Sequence, residues 1–261
     1  MSMAIKMTAL ATLCFLILFY SVRLGAAENT HLAPIRLHLV GDSTMSDKPN
    51  LAYPERGWGQ LLPEFMLPQL TVINHAANGR STRRFVNEGR WQRLLSDVNQ
   101  GDYVLIQFGH NDSKQSDPAR FADAATDYRE FLTQFIADVR ERGATPMLAS
   151  SICRRNFNDE AVLQQDLTAY ANAARQVAEQ QQVSFFDLQQ YSCNYWQEQG
   201  PAASQAYFIQ VPADLYAKFP QGTTDNTHLS VQGASKVAQF FIRKLQHQQH
   251  PLSQYVYREL L

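Results

Sequence analysis

Hydrophobic positions come in short runs separated by glycine, proline and polar clusters, and the spacing inside the runs alternates between two kinds. Ile35 to Val40 is an apolar-rich run stopped by Gly41, as a buried strand requires. Thr71 to Asn74, Asp102 to Phe108, Thr145 to Ile152 and Val183 to Leu188 are further strand candidates. Pro146 falls at the start of the fourth, where a missing N–H is tolerated.

Between these runs the apolar spacing becomes helical. Leu61, Leu62, Phe65, Met66 and Leu67 make a short patch ended by Pro68, and Ser81 or Thr82 precedes a helix carrying Phe85, Trp91, Leu94 and Leu95. Phe121, Ala125, Tyr128, Leu132, Phe135, Ile136 and Val139 predict a helix over 119–142 that Gly143 ends. Residues 159–180 and Val231 to Gln246 repeat the pattern. Strand, loop, helix, strand in this order predicts an α/β fold of three layers, α/β/α, with a parallel five-stranded sheet.

Gln189 to Thr224 breaks the alternation with aromatics and turn formers. It is expected to be mainly a surface excursion, with brief helices around 188–199 and 211–219. Tyr255, Val256, Leu260 and Leu261 predict that the tail 247–261 packs on the body.

Residues 1–27 stand apart. Lys6, the apolar run Ala9 to Val22 and the small residues Gly25-Ala26-Ala27 are ordered as in a cleaved secretory signal peptide. Arg23 also fits a membrane anchor, but the run is shorter than the roughly 20 residues a bilayer span needs. Export to a secreted or periplasmic location is therefore expected, with 28–261 as one catalytic domain and no stable membrane insertion after cleavage.

The leader removes two of the 23 basic residues and none of the 24 acidic ones, so the remaining net charge is about −3. That balance gives no reason to expect a nucleic-acid partner. Cys153 and Cys193 remain after the leader; they either form one bridge or stay as buried thiols. The dispersed histidines have no structural zinc spacing, and no metal or other cofactor is expected.

Polar clusters follow three predicted strands at the end where open α/β sheets bind ligands: Gly41-Asp42-Ser43, Asn78-Gly79-Arg80 and Gly109-His110-Asn111-Asp112. A fourth, Asp225-Asn226-Thr227-His228, is placed on the loop before the last helix. A serine hydroxyl needs a base and a group to orient that base. Asp225 and His228 are spaced to present both from one loop, although Asp225 also fits a helix cap.

Acyl transfer needs donors for an oxyanion. The backbone N–H groups of Ser43 and Gly79 and the Asn111 amide qualify by type, with glycine expected to let the chain approach without a Cβ. A plain turn at Gly79 and an Asx turn at Asn111 are the simpler accounts. Trp58, Arg80 and His110 are candidate substrate contacts, against core packing, a surface salt bridge and a loop-holding role respectively.

Taken together and in order, the four clusters resemble the four blocks of the SGNH (GDSL-type) hydrolase superfamily. The strings Gly41-Asp42-Ser43-Thr44, Arg56-Gly57-Trp58-Gly59, Asn78-Gly79-Arg80-Ser81-Thr82, Gln107-Phe108-Gly109-His110-Asn111-Asp112 and Asp225-Asn226-Thr227-His228 are most similar to rhamnogalacturonan acetylesterases. The resemblance implies Ser43 as nucleophile, His228 as base and Asp225 as its orienting acid. It implies Ser43, Gly79 and Asn111 as the oxyanion hole. It also implies a secreted, metal-free enzyme that removes O-acetyl groups from pectic polysaccharide, an acetylated polysaccharide or oligosaccharide being its partner; the alternatives are an acetylxylan, other carbohydrate or lipid esterase and a non-catalytic carbohydrate-binding protein. A monomer is expected.

Overall fold

The computed structural model describes residues 32–257, and the leader expected over 1–27 lies outside them. Five strands form the main sheet: β1 (Ile35–Gly41), β2 (Leu70–Asn74), β3 (Tyr103–Gln107), β4 (Thr145–Ala149) and β5 (Ser184–Phe186). All pair in parallel, in the order β2-β1-β3-β4-β5. The chain leaves β1 toward β2 on one side and returns to β3 on the other. The crevice where ligands bind in such sheets therefore opens above β1 and β3.

Helices cover both faces, which explains the near-continuous apolar runs of β3 and β4, while β1 carries Arg36 and His38 between its apolar residues. α1 (Trp58–Leu61), α2 (Thr82–Asn87), α3 (Arg90–Asp97), α4 (Asp127–Glu141), α5 (Thr168–Gln181), α6 (Leu188–Ala203) and α7 (Val231–His247) follow in chain order. Val40, Val104, Ile106 and Leu148 pack into one cluster with Phe85, Trp91, Phe135, Tyr170 and Ala174 from α2 to α5. On the other face Phe241 of α7 meets the rings of Phe186 and Trp58, with centroids 4.8 and 5.7 Å away.

Two helices begin later than the spacing predicts, for one reason. Asp117 and Asp123 accept backbone N–H groups two residues on, and those turns compete with helix until Asp127. Asn158 does the same with the N–H groups of Glu160 and Val162, so α5 starts at Thr168 and not at 159. β5 is also shorter than expected, because Asp187 leaves the strand to cap α6 by accepting the N–H of Gln190, and β4 ends at Ala149 and not at Ile152.

The 189–224 segment is not mainly a surface excursion. α6 buries Trp196, and an antiparallel hairpin follows, β6 (Phe208–Val211) with β7 (Thr223–Leu229). No helix forms at 211–219; turns join the two strands there. Cys153 and Cys193 are bonded, tying the loop after β4 to α6. The tail packs as expected up to Tyr257: Leu252 is buried and Val256 bridges to Met66. Among the described residues no helix is long and apolar enough to cross a membrane.

Candidate active site

Ser43 stands two residues beyond β1, on a turn built by its neighbours. The Asp42 carboxylate accepts the Thr44 N–H at 2.9 Å and its hydroxyl at 2.8 Å, while the Asp42 carbonyl accepts the N–H of Ser46 at 3.1 Å. Asp42 is fully buried. Burial pushes its carboxyl up, but the charge and hydrogen bond of His110 and the two bonds from Thr44 outweigh it and hold the group below its ordinary value.

His228 Nε2 lies 3.0 Å from Ser43 Oγ, and Nδ1 lies 2.6 Å from Asp225 Oδ2. The other Asp225 oxygen accepts the N–H groups of Thr227 at 2.7 Å and His228 at 2.9 Å. Burial raises the Asp225 carboxyl, yet the His228 hydrogen bond, its charge and those N–H groups keep it well below the carboxylate range. A hydroxyl, an imidazole and an ionised carboxylate thus form one hydrogen-bonded chain.

The acid and imidazole are on β7, not on a loop, and a bulge aims them. The pairing of β6 with β7 slips between Phe208 and Ile209, so Asn226, Thr227 and His228 have no partners on β6 and bow out. Arg155 supports the bow: its N–H donates to the Asn226 carbonyl and its guanidinium to Asn226 Oδ1, both at 2.8 Å. The cap of α7 is Ser230, which accepts the Gly233 N–H, so capping is not the work of Asp225.

Ser43, Gly79, His110, Asn111, Asp225 and His228 line one cleft of about 460 Å³. Among the described residues the backbone N–H groups of Ser43 and Gly79 donate to no other group. The Asn111 amino group donates to the Arg80 carbonyl at 3.1 Å and has a second hydrogen to give; its carbonyl faces Arg120 at 3.3 Å. Glycine suits position 79 for a different reason from the one expected. A Cβ there would meet nothing, but φ is +73°, which a side chain disfavours.

The loops carrying these donors are joined from beneath. Asp112 accepts the Thr82 N–H at 2.9 Å and its hydroxyl at 2.6 Å, and burial raises its carboxyl to about 7. Among the described residues no three His, Cys, Asp or Glu side chains converge as metal ligands.

The substrate-contact candidates separate. Trp58 is completely buried and donates to Gln107 at 2.7 Å; it is a core residue and not part of the cleft. The Arg80 guanidinium pairs with Glu88 at 2.9 Å outside the cleft lining, and only its carbonyl serves the site. His110 lines the cleft, with Nδ1 3.2 Å from Asp42. Lys114, Arg120, Arg154 and Glu55 also line it; none of them stood out in the sequence, although Glu55 directly precedes the Arg56-Gly57-Trp58-Gly59 string.

Residues 37–241 match the family described as GDSL-like Lipase/Acylhydrolase. The chain belongs to that family. It is a serine hydrolase acting on carboxylic esters, and its three-layer sheet is the SGNH hydrolase architecture. Among curated relatives, this GDSL-like chain is 35% identical over 223 residues to rhamnogalacturonan acetylesterase RhgT of Bacillus subtilis. That alignment covers 85% of this chain and 94% of RhgT. It is 31% identical over 226 residues to a probable rhamnogalacturonan acetylesterase, YesY, of the same organism, covering 85% of this chain and 98% of YesY. The crystal structure of Bacillus subtilis YxiM superposes with a TM-score of 0.71 at 25% identity, covering 84% of this chain and 58% of YxiM. Axe2, an acetylxylan esterase from Geobacillus stearothermophilus, shares the fold at a TM-score of 0.59 and 18% identity, covering 82% and 94%.

Proposed function

We propose that this chain is a secreted serine acetylesterase that removes O-acetyl groups from a pectic polysaccharide of the rhamnogalacturonan type. The observation that carries the chemistry is the 3.0 Å approach of His228 Nε2 to Ser43 Oγ beside three groups able to donate to an oxyanion. In this reading His228 takes the hydroxyl proton as Ser43 Oγ attacks the acetyl carbonyl carbon. The N–H groups of Ser43 and Gly79 and the Asn111 amide receive the developing oxyanion. His228 then protonates the departing sugar oxygen, leaving acetyl-Ser43. Water, deprotonated by His228, attacks that ester, and as the acyl–oxygen bond breaks His228 returns the proton to Ser43 Oγ and acetate leaves. Asp225 stays ionised and keeps Nε2 free to accept. All of these groups belong to one chain, so a monomer suffices.

The polymer is supported by relatives named rhamnogalacturonan acetylesterases at 35% and 31% identity. A cleft lined by charged and amide side chains also suits a polysaccharide better than a lipid chain, which calls for an apolar groove. Export is supported by the leader pattern of residues 1–27. The test is initial-rate acetate release from acetylated rhamnogalacturonan, homogalacturonan and xylan and from an aryl acetate. The first polymer is expected to give the highest kcat/KM of the three; preference for xylan overturns the pectic reading.

A further inference from the structure

Three cations line the cleft beside the serine, and all are fastened to the loop that follows β3. The Lys114 N–H donates to the Asn111 carbonyl at 3.2 Å. The Arg120 guanidinium donates to the Asn111 side-chain oxygen at 3.3 Å, and that of Arg154 to the His110 carbonyl at 3.1 Å. Each arginine has a carboxylate of its own, Asp117 for Arg120 at 2.5 Å and Asp166 for Arg154 at 2.9 Å. Among the described residues the Lys114 ammonium has none.

The acids of the lining are each paired already. Glu55 is held by Lys48 at 2.9 Å and by Lys218, and Asp225 by His228, so neither forms a salt bridge with Lys114. The cleft is therefore polarised, with an ammonium that forms no salt bridge among the described residues on the Asn111 side. Lys114 is exposed at the mouth of the cleft; partial desolvation and the neighbouring Arg120 and Arg154 lower its ammonium pKa, while the more distant charges of Asp117 and Asp42 act against that.

We infer that Lys114, with Arg154 and Arg120 beside it, is a carboxylate-binding wall that reads a uronic acid within one sugar of the acetyl ester. This rests on the esterase reading of Ser43 given above. It goes beyond that reading by assigning discrimination between acidic and neutral acetylated polymers to residues outside the Ser43, His228 and Asp225 set. A sugar carboxylate offers two oxygens to an ammonium and to the guanidinium edges not already committed to Asp117 and Asp166. A neutral pentose polymer offers none, so Lys114 would be desolvated against it with no anion gained.

The experiment compares an acetylated oligosaccharide containing galacturonate with the same oligosaccharide after its carboxyls are reduced to primary alcohols. The wild-type enzyme is expected to favour the acidic form by about 10- to 100-fold in kcat/KM, mostly through KM, and 0.5 M salt should shrink the ratio. Lys114→Met should bring the ratio within about threefold of unity, and Arg154→Met should lower it as well. Lys244→Met on α7 removes an equal charge elsewhere and should leave the ratio as it was. A wild-type ratio near 1, with acetate released from both forms, overturns this inference and leaves the esterase reading standing. A ratio that survives in Lys114→Met and Arg154→Met overturns it too. Release from neither form, nor from an aryl acetate, removes the esterase reading itself, and the inference with it.

Discussion

His228 Nε2 and Ser43 Oγ lie 3.0 Å apart although 185 residues separate them in the chain. The serine is fixed to the end of β1 by the Asp42 turn, and the imidazole is pushed toward it by the bulge in β7. Neither feature depends on the other, so each can be altered separately.

The imidazole should be the easier one to misdirect. Asp225→Asn keeps the size of the side chain but presents no second carboxylate oxygen to Nδ1–H, and the ring is free to adopt the wrong tautomer. A fall in kcat of about 10³- to 10⁴-fold on an aryl acetate is expected, with the fold kept by circular dichroism. The same variant should change acid stability. A carboxylate held below its ordinary pKa stabilises the fold fully above the unfolded value of about 4, and that contribution is lost as pH falls below it. The wild type should therefore lose Tm more steeply than Asp225→Asn in a melting series from pH 5 to pH 2.

Asn111 and Gly79 should fail in different ways. Asn111→Ala deletes a donor and should lower kcat by about 10²- to 10³-fold with KM nearly unchanged. Gly79→Ala keeps its N–H and places its Cβ in open space, but at φ +73° it should cost about 1–2 kcal/mol of stability and less than tenfold in kcat. Chemical denaturation and initial rates on both variants separate lost donation from strain.

Trp58 should behave as a core residue. Trp58→Phe leaves Gln107 Oε1 buried without its donor, so a loss of about 1–3 kcal/mol in stability is expected. KM for the polymer should stay within about twofold; a selective rise in KM would return Trp58 to the substrate surface.

The disulfide closes a loop of 40 residues, next to Arg154 in the cleft wall and Arg155 under the bulge. Cys193→Ser should cost about 2–4 kcal/mol. Because Arg155 is two residues from Cys153, kcat should fall along with stability; urea titration and rates under non-reducing conditions check both.

Much of this architecture was legible because the sheet is buried on both faces, and a short, β-branched-rich run such as Val104-Leu105-Ile106, stopped by Gly109, fits a buried strand better than a helix. The order of polar clusters after β1 and β3 likewise followed from where such sheets bind ligands. The hairpin was hidden, since Thr223 to His228 is wholly polar and the bulge removes any period-two signal. Helix starts were misjudged where Asp123 and Asn158 captured backbone N–H groups, a competition that apolar spacing does not register. Lys114, Arg120 and Arg154 were invisible for another reason: each looks like part of a solvated loop until the fold gathers them around Asn111. Trp58 sits in a glycine-flanked string that fits a substrate contact or core packing alike, and its contacts with Phe241 and Gln107 place it in the core.

The most direct measurement is covalent labelling with a serine-directed aryl phosphonate, read by intact-mass and peptide mass spectrometry. One adduct per chain is expected, on the peptide that holds Ser43, with labelling slowed at least about 100-fold in His228→Ala and absent in Ser43→Ala. An adduct on any other residue, or Ser43→Ala retaining parental acetate release, would contradict the assignment of Ser43 as the group that His228 activates.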